Sequence, residues 1–319
     1  LLLLALIAPF YFYPVFLMKA LCFALFAFSF NLVLGYGGLL SFGHTMFFGG
    51  SAYITAHAIK EWGFSPELGI LAGVVTGGLL GAIAGGIAIR RQGIYLAMVT
   101  LALAQMIYFI AVQAPFTGGE DGIQSVPRGM LFGFIDLRDE LTLYYVVLAV
   151  FVLGFLAFLR IISSPFGQAL KAIRENEARA ISLGYRTNAF KHLCFILAGA
   201  LAGLGGGTKV LVFSIASLTD VHFAMSGEVI LMTLLGGLGT VLGPIYGAFS
   251  IIAMESYLQD YGGWLKVIQG VIFIVCVLAF RQGIASEVDR AGRFLGKLVE
   301  RLKPSPQTAA KPQDTKASV

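Results

Sequence analysis

NLVLGYGGLLSFGHTMFFGG, residues 31–50, reads as an apolar helix with an irregular middle. Each glycine inside a helix is less favourable than alanine by about 1 kcal/mol, so Gly35, Gly37, Gly38 and Gly43 together mark a break. A second stretch, MTLLGGLGTVLGPIYGAF at 232–249, has the same grammar. Both carry Gly-Gly-Leu, at Gly37, Gly38, Leu39 and at Gly236, Gly237, Leu238. In both, a hydroxyl residue follows, Ser41 or Thr240, and then another glycine, Gly43 or Gly243. Paired interruptions of this kind in the two halves of a chain point to an internal repeat around a central site. Chance likeness between two glycine-rich apolar stretches is the plain alternative.

The surrounding composition says which solvent these helices meet. Of 319 residues 58% are hydrophobic and 12% charged, and the mean hydropathy is +0.85. Soluble domains carry about twice that charge, so the chain reads as an all-α polytopic integral membrane protein. A strand-period alternation that would signal a β-barrel is not visible. Apolar runs of helical length fall at 1–17, 20–34, 39–59, 67–89, 93–113, 141–160, 192–212, 223–236, 240–258 and 264–280, which predicts about ten transmembrane helices, in the range of roughly eight to ten. The first residue is Leu, so the true start is expected upstream, and residues 1–17 read as a span rather than a signal peptide. Cys22, Cys194 and Cys276 lie singly in apolar runs and read as small buried hydrophobes, with no metal site.

Forty glycines supply the packing surface. Gly73, Gly77, Gly81 and Gly85 recur every fourth residue, as do Gly199, Gly203 and Gly207, and again Gly239, Gly243 and Gly247. At that spacing glycines line one helix face and let backbones approach closely in lipid.

Charge sets the expected orientation. With the 160–191 segment inside, 16 of the 22 Lys and Arg residues lie on that side and both termini are cytoplasmic. The acidic 114–140 loop then falls outside. The net charge of +5 reflects topology, and no nucleic-acid partner is needed to explain it.

One segment is too polar to span: SSPFGQALKAIRENEARAISLGYRTNAFK, 163–191. Ser164 suits an N-cap, Pro165 the first helical position and Gly184 a C-terminal stop, predicting one helix over 165–183. Phe166, Leu170, Ile173 and Glu177 share a face, and Ala180, Ile181 and Gly184 continue near it. Such a helix beside the ends of spans suits docking of a soluble partner.

Together, the 31–53 block, GIYLAMVTLALAQM at 93–106, TGGEDGI at 117–123, FGQALKAIRENEARAISLGY at 166–185 and GEVILMTLLGGLGTVLGPIYGA at 227–248 resemble the LivM-type permease subunits of bacterial ABC importers for branched-chain amino acids. The resemblance implies a permease domain over 1–283 in the bacterial cytoplasmic (inner) membrane. It implies that Ala172, Arg174, Glu175, Ala180 and Gly184 belong to a cytoplasmic coupling helix that contacts ATPases. It also implies four partners: a homologous LivH-type permease, two ATP-binding cassette ATPases and a periplasmic solute-binding protein. The family pattern Phe-Arg-Pro-Gln-Gly lacks its proline at Phe280–Gly283 here. Beyond it, 284–303 reads as an amphipathic helix on the inner leaflet and 304–319 as a disordered tail.

No P-loop is present, since GLGGGTKV at 203–210 lacks the required order. No cofactor or catalytic constellation is apparent, so the chain reads as a non-catalytic subunit. Ionisable and polar groups inside spans are costly and count as functional candidates: Asn31, Ser41, His44, Gln105 and Glu228 are the candidates to line a translocation pathway. Glu228 reads equally as a helix cap, and Lys209 as interfacial. Two rival readings are an ion-coupled secondary transporter or channel, using Glu228 with Glu255, and an ABC permease for urea or short amides.

Overall fold

The computed structural model describes residues 2–258, 262, 264–279 and 283. In chain order its helices are α1 (Leu2–Ile7), α2 (Pro14–Phe30), α3 (Thr45–Lys60), α4 (Pro66–Ala88), α5 (Ile94–Gln113), α6 (Glu140–Ser163), α7 (Pro165–Glu175), α8 (Glu177–Ser182), α9 (Thr187–Phe213), α10 (Phe223–Gly236), α11 (Gly243–Leu258) and α12 (Leu265–Ala279). A two-residue hairpin, β1 (Met130–Leu131) with β2 (Ile135–Asp136), sits in the loop before α6. The expected helix over 284–303 and tail over 304–319 lie outside the described residues.

Proline punctuation moves the first boundary. The reading of 1–17 and 20–34 as two helices gives way to a break at Tyr11–Tyr13, with Pro14 opening α2 at its first position, where its missing N–H is harmless. α2 then runs without interruption into a π-helical segment, Asn31–Tyr36. Lys19 does not interrupt it, because its ammonium pairs with Glu255 of α11 at 3.0 Å.

Among the described residues, five helices are long and apolar enough to cross a membrane: Pro14–Tyr36, α4, α5, α6 and α9. α3, α10, α11 and α12 have 16, 14, 16 and 15 residues, short of the roughly 20 that a full span needs. The ten apolar runs of the sequence thus become five helices of full spanning length alongside shorter ones, because the two glycine-rich stretches divide the chain.

Two of the glycine ladders face each other. α4 and α9 run antiparallel with Gly73 against Gly203 and Gly207, Gly77 against Gly199 and Gly203, and Gly81 against Phe195. A Cβ on Gly77 would stand 2.2 Å from the Gly199 carbonyl oxygen, and one on Gly199 2.2 Å from that of Gly77. Only glycine permits this approach. The opposite face of α4 exposes Leu68, Leu71, Val75, Leu79, Ile83 and Ile87, an apolar stripe that suits lipid and would be a liability in water.

The third ladder is not a helix face. Gly239 lies in the turn between α10 and α11 with φ +71°, and Gly243 opens α11. Gly247 does pack closely, against the Met232 carbonyl of α10. The core is aromatic around α2: Phe28 meets Phe151, Phe155 and Phe158 of α6, while Phe23 and Phe26 meet Phe48 of α3.

Gly77→Ala is expected to destabilise the purified protein by about 1–3 kcal/mol through overpacking. Gly86→Ala, whose added Cβ has its nearest neighbour at 3.7 Å, should shift stability by less than about 0.5 kcal/mol. Unfolding in detergent distinguishes them, and equal shifts would refute the backbone-contact account.

Candidate functional site

The two glycine breaks meet, and the charged segment holds them together. After Tyr36 the chain leaves the helix through Gly37 and Gly38 (φ +67°) and resumes at Thr45; after Gly236 it turns through Gly237 and Gly239 and resumes at Gly243. Each break frees backbone N–H and C=O groups that need partners where water is excluded. Asn31 supplies two of them: its amide nitrogen donates to the Thr240 carbonyl at 2.9 Å, and its oxygen accepts from the Gly239 N–H at 2.9 Å. A Cβ on Gly35 would stand 2.0 Å from the Asn31 amide oxygen and 2.8 Å from Gly239 N. Glycine at 35 lets the breaks touch. The Thr240 hydroxyl donates to Gly237 O and accepts from Gly243 N–H, closing the second turn locally.

Arg174 of α7 completes the junction. Its guanidinium donates to the Gly35 carbonyl, and its stem lies against Gly38, where a Cβ would come within 2.8 Å. Lys171, one turn earlier, sits over the Tyr36 ring. α7 is thus attached to the π-helical end of α2.

The polar segment itself is two helices, α7 and α8, which corrects the single helix expected over 165–183. Ser164 caps α7 through Gly167 N, with Pro165 next, as the sequence indicates. At Asn176 the backbone becomes extended (φ −156°, ψ 97°) and the side chain accepts from Arg179 N, starting α8. Asparagine favours this capping role over a helix interior. α8 ends at Ser182, and Gly184 (φ +86°) turns the chain beyond it, with Tyr185 N–H returning to Ala180 O. Leu170, Ile173 and Ala180 are buried, whereas Ala172, Arg174, Glu175 and Gly184 are exposed. Beyond the break at Asn176, Ile181, Leu183 and Tyr185 are each exposed. Glu177 ties the segment to the bundle, accepting from Lys191 of α9 at 2.5 Å and from Gln92 at 3.1 Å.

The other intramembrane candidates separate. His44 is fully buried among Phe26, Phe30 and Phe47, with Nε2 2.8 Å from the Ser29 hydroxyl. That hydroxyl donates to Phe26 O, so Nε2 carries the proton and Nδ1 is left a bare acceptor, unpartnered among the described residues. Ser41 is buried in the first break, and Gln105 is half-buried on α5. Glu228 does not begin its helix: α10 starts at Phe223 with His222 as cap, leaving Glu228 in the second turn, half-buried. Glu255 is engaged by Lys19, which leaves the Glu228–Glu255 acid pair without support.

Sequence reasoning missed the buried pair of Lys209 and Asp220. Lys209 is no interfacial residue; its ammonium meets the Asp220 carboxylate, whose side chain is 1% exposed. The pair pins the irregular segment between α9 and α10, and Thr45 at the start of α3 donates to Asp220 O at 2.7 Å. Asp220 stands eleven residues beyond Lys209, after a helix end, a separation that no periodicity marks.

A helical bundle with unequal spans, a lipid-suited exterior and broken helices meeting inside defines a multi-pass membrane protein of the transport class. Residues 14–279 match the family described as "Branched-chain amino acid transport system / permease component", and the chain belongs to that family. It is 26% identical over 282 residues to the high-affinity branched-chain amino acid transport system permease protein LivM of Escherichia coli K12, covering 80% of this chain and 65% of that protein. It is 24% identical over 284 residues to the probable LivM of Methanocaldococcus jannaschii (77% and 81% covered) and 25% over 251 residues to the probable LivH of that organism (73% and 78%). The chain spans 65% of the length of the Escherichia coli and Salmonella typhimurium LivM relatives. No solved structure matches.

Lys209→Met leaves a buried carboxylate unpaired and is expected to lower stability by about 3–5 kcal/mol, while Lys209→Met combined with Asp220→Leu recovers most of it. Denaturation of the three proteins in one detergent checks this; a double variant as unstable as the single one counts against an ion-pair origin.

Proposed function

We propose that the chain is the permease subunit of an ATP-driven importer for branched-chain or related amino acids. It translocates solute released by a periplasmic binding protein, beside a homologous LivH-type permease. Two ATP-binding cassette ATPases drive the cycle, since moving a two-state gate from 1:99 to 99:1 requires about 5.5 kcal/mol of differential binding. The family membership and the LivM relatives support the transport class. The observation that carries the mechanism is the hydrogen bond from Arg174 to Gly35 O.

Through that bond, a push on the exposed face of α7 and α8 reaches the place where both broken helices meet. Ala172, Arg174, Glu175 and Gly184 offer the ATPase a polar face, flanked by Ile181, Leu183 and Tyr185, while Ala180 seats α8 on the bundle. Arg90, Arg91, Arg160, Lys171, Arg179, Arg186 and Lys191 flank the same end, which supports a cytoplasmic orientation in the inner membrane. The two breaks act as counterparts of an internal repeat, each turning within the bilayer.

A hydrogen bond from a charged donor contributes about 1.5–3 kcal/mol. In reconstituted importer, Arg174→Ala is therefore expected to lower ATP-driven leucine uptake about tenfold or more while ATP hydrolysis persists. A cysteine at Glu175 should crosslink to an ATPase subunit; crosslinks that never reach one would sink the coupling assignment.

A further inference from the structure

The hairpin between α5 and α6 carries a costly residue at its apex. Leu131, Phe132, Gly133 and Phe134 form the turn, closed by the Phe134 N–H donating to Leu131 O at 3.2 Å, with φ +50° at Phe132 and +79° at Gly133. Positive φ at both central residues is the geometry of a type I′ turn, which favours Asn-Gly. Here phenylalanine takes the place of asparagine. Among the described residues, those other than glycine with positive φ are Ser125, Phe132 and Ser214, and Phe132 alone of these has a bulky apolar side chain. A bulky residue in this region is strained, and strain that persists points to a use for the side chain. Packing within the protein is not that use, since Phe132 is 62% exposed and Phe134 is 86% exposed.

The place of the hairpin says what medium the two rings meet. The Phe132 N–H donates to Glu67 Oε2 at 3.4 Å and Gly129 lies against Pro66, which holds the turn at the start of α4. β2 leads through the buried Leu137 to Asp139, the cap of α6. α4 and α6 have 23 and 24 residues, about 35 Å of helix against a hydrocarbon core of about 30 Å, so their first turns reach the level of the headgroups. Leu68 and Leu71, next to Glu67, open the lipid-suited stripe of α4, and Trp62 and Phe64 are exposed just before it. The hairpin rings continue this aromatic border, which is the residue type that membrane interfaces select. Charge stays at the base, on the exposed Asp136, Arg138 and Asp139.

We propose that the hairpin is an interfacial anchor whose Phe132 and Phe134 insert among lipid headgroups beside the first turns of α4 and α6. Its strand edges are unpaired, so it goes no deeper than the interface. The loop it anchors also holds the end of α9: Arg128 donates to Val212 O at 2.8 Å, and the Val126 N–H to Ser214 O at 2.9 Å. One lipid contact thus sets the depth of the α4–α9 wall. The proposal needs only a membrane protein and holds for either leaflet.

The test uses the full chain reconstituted in phosphatidylcholine vesicles. Phe134→Trp is compared with the unchanged chain, whose Trp62 and Trp264 give the background emission. The added emission is expected to be quenched more by lipid brominated near the glycerol end of its chains than by lipid brominated near the methyl end. Iodide on both sides of the membrane should quench it little. Adding Phe132→Asn should cut the shallow bromine quenching about twofold or more, because it removes apolar area from the interface. Phe132→Asn by itself should not lower the melting temperature in detergent.

An added indole that iodide reaches freely and bromines leave untouched would overturn the proposal. So would shielding that arises only when the importer's other subunits are added, which would make the hairpin a protein contact. A lower melting temperature for Phe132→Asn would also refute it, by showing that the ring packs within the fold.

Discussion

A helix interrupted inside a bilayer must find other partners for the peptide groups it frees, because lipid offers none. This chain interrupts two helices, near Gly37 and near Gly237, and resolves both interruptions at one place. Asn31 closes the Gly239–Thr240 peptides, Thr240 closes its own turn, and Arg174 closes Gly35. Without the glycines the two breaks could not approach; without the side chains they would be too costly to keep. The rest of the architecture positions these groups: α4 and α9 form a rigid wall by backbone contact, and the phenylalanines around α2 fix the axis that carries Asn31.

That economy of partners gives the junction its mechanical character. The polar groups that stabilise the breaks come from three separate elements, and one of them, α7, is on the outside of the bundle. A displacement of α7 changes how Gly35 O is satisfied. Packed interiors tend to switch between discrete arrangements rather than deform continuously. A surface helix whose exposed arginine reaches the Gly35 carbonyl is therefore placed to bias which arrangement holds.

Legibility from sequence followed the range of each interaction. The Gly73 and Gly199 ladders were readable because their signal is a helical period, and the structure sets one against the other. Ser164, Pro165 and Gly184 were readable because capping is local. The break at Asn176 was not, since a single asparagine competes with eleven good helix formers in α7 and α8 and only the cap to Arg179 N shows that it wins. The Gly239, Gly243, Gly247 spacing imitated a helix face, but positive φ at Gly239 removes it from any helix. His44 looked like a pathway residue by its rarity in an apolar run, and the structure encloses it in aromatic rings.

By itself the sequence determined the solvent of the protein, the apolar helical composition, the polar segment that cannot span, and the places where helices must stop, because these depend on composition and on contacts within a few residues. Tertiary structure decided which breaks meet and which acid each lysine neutralises. Such pairings join residues as far as 236 positions apart, and neither partner carries in its local sequence any mark of the other.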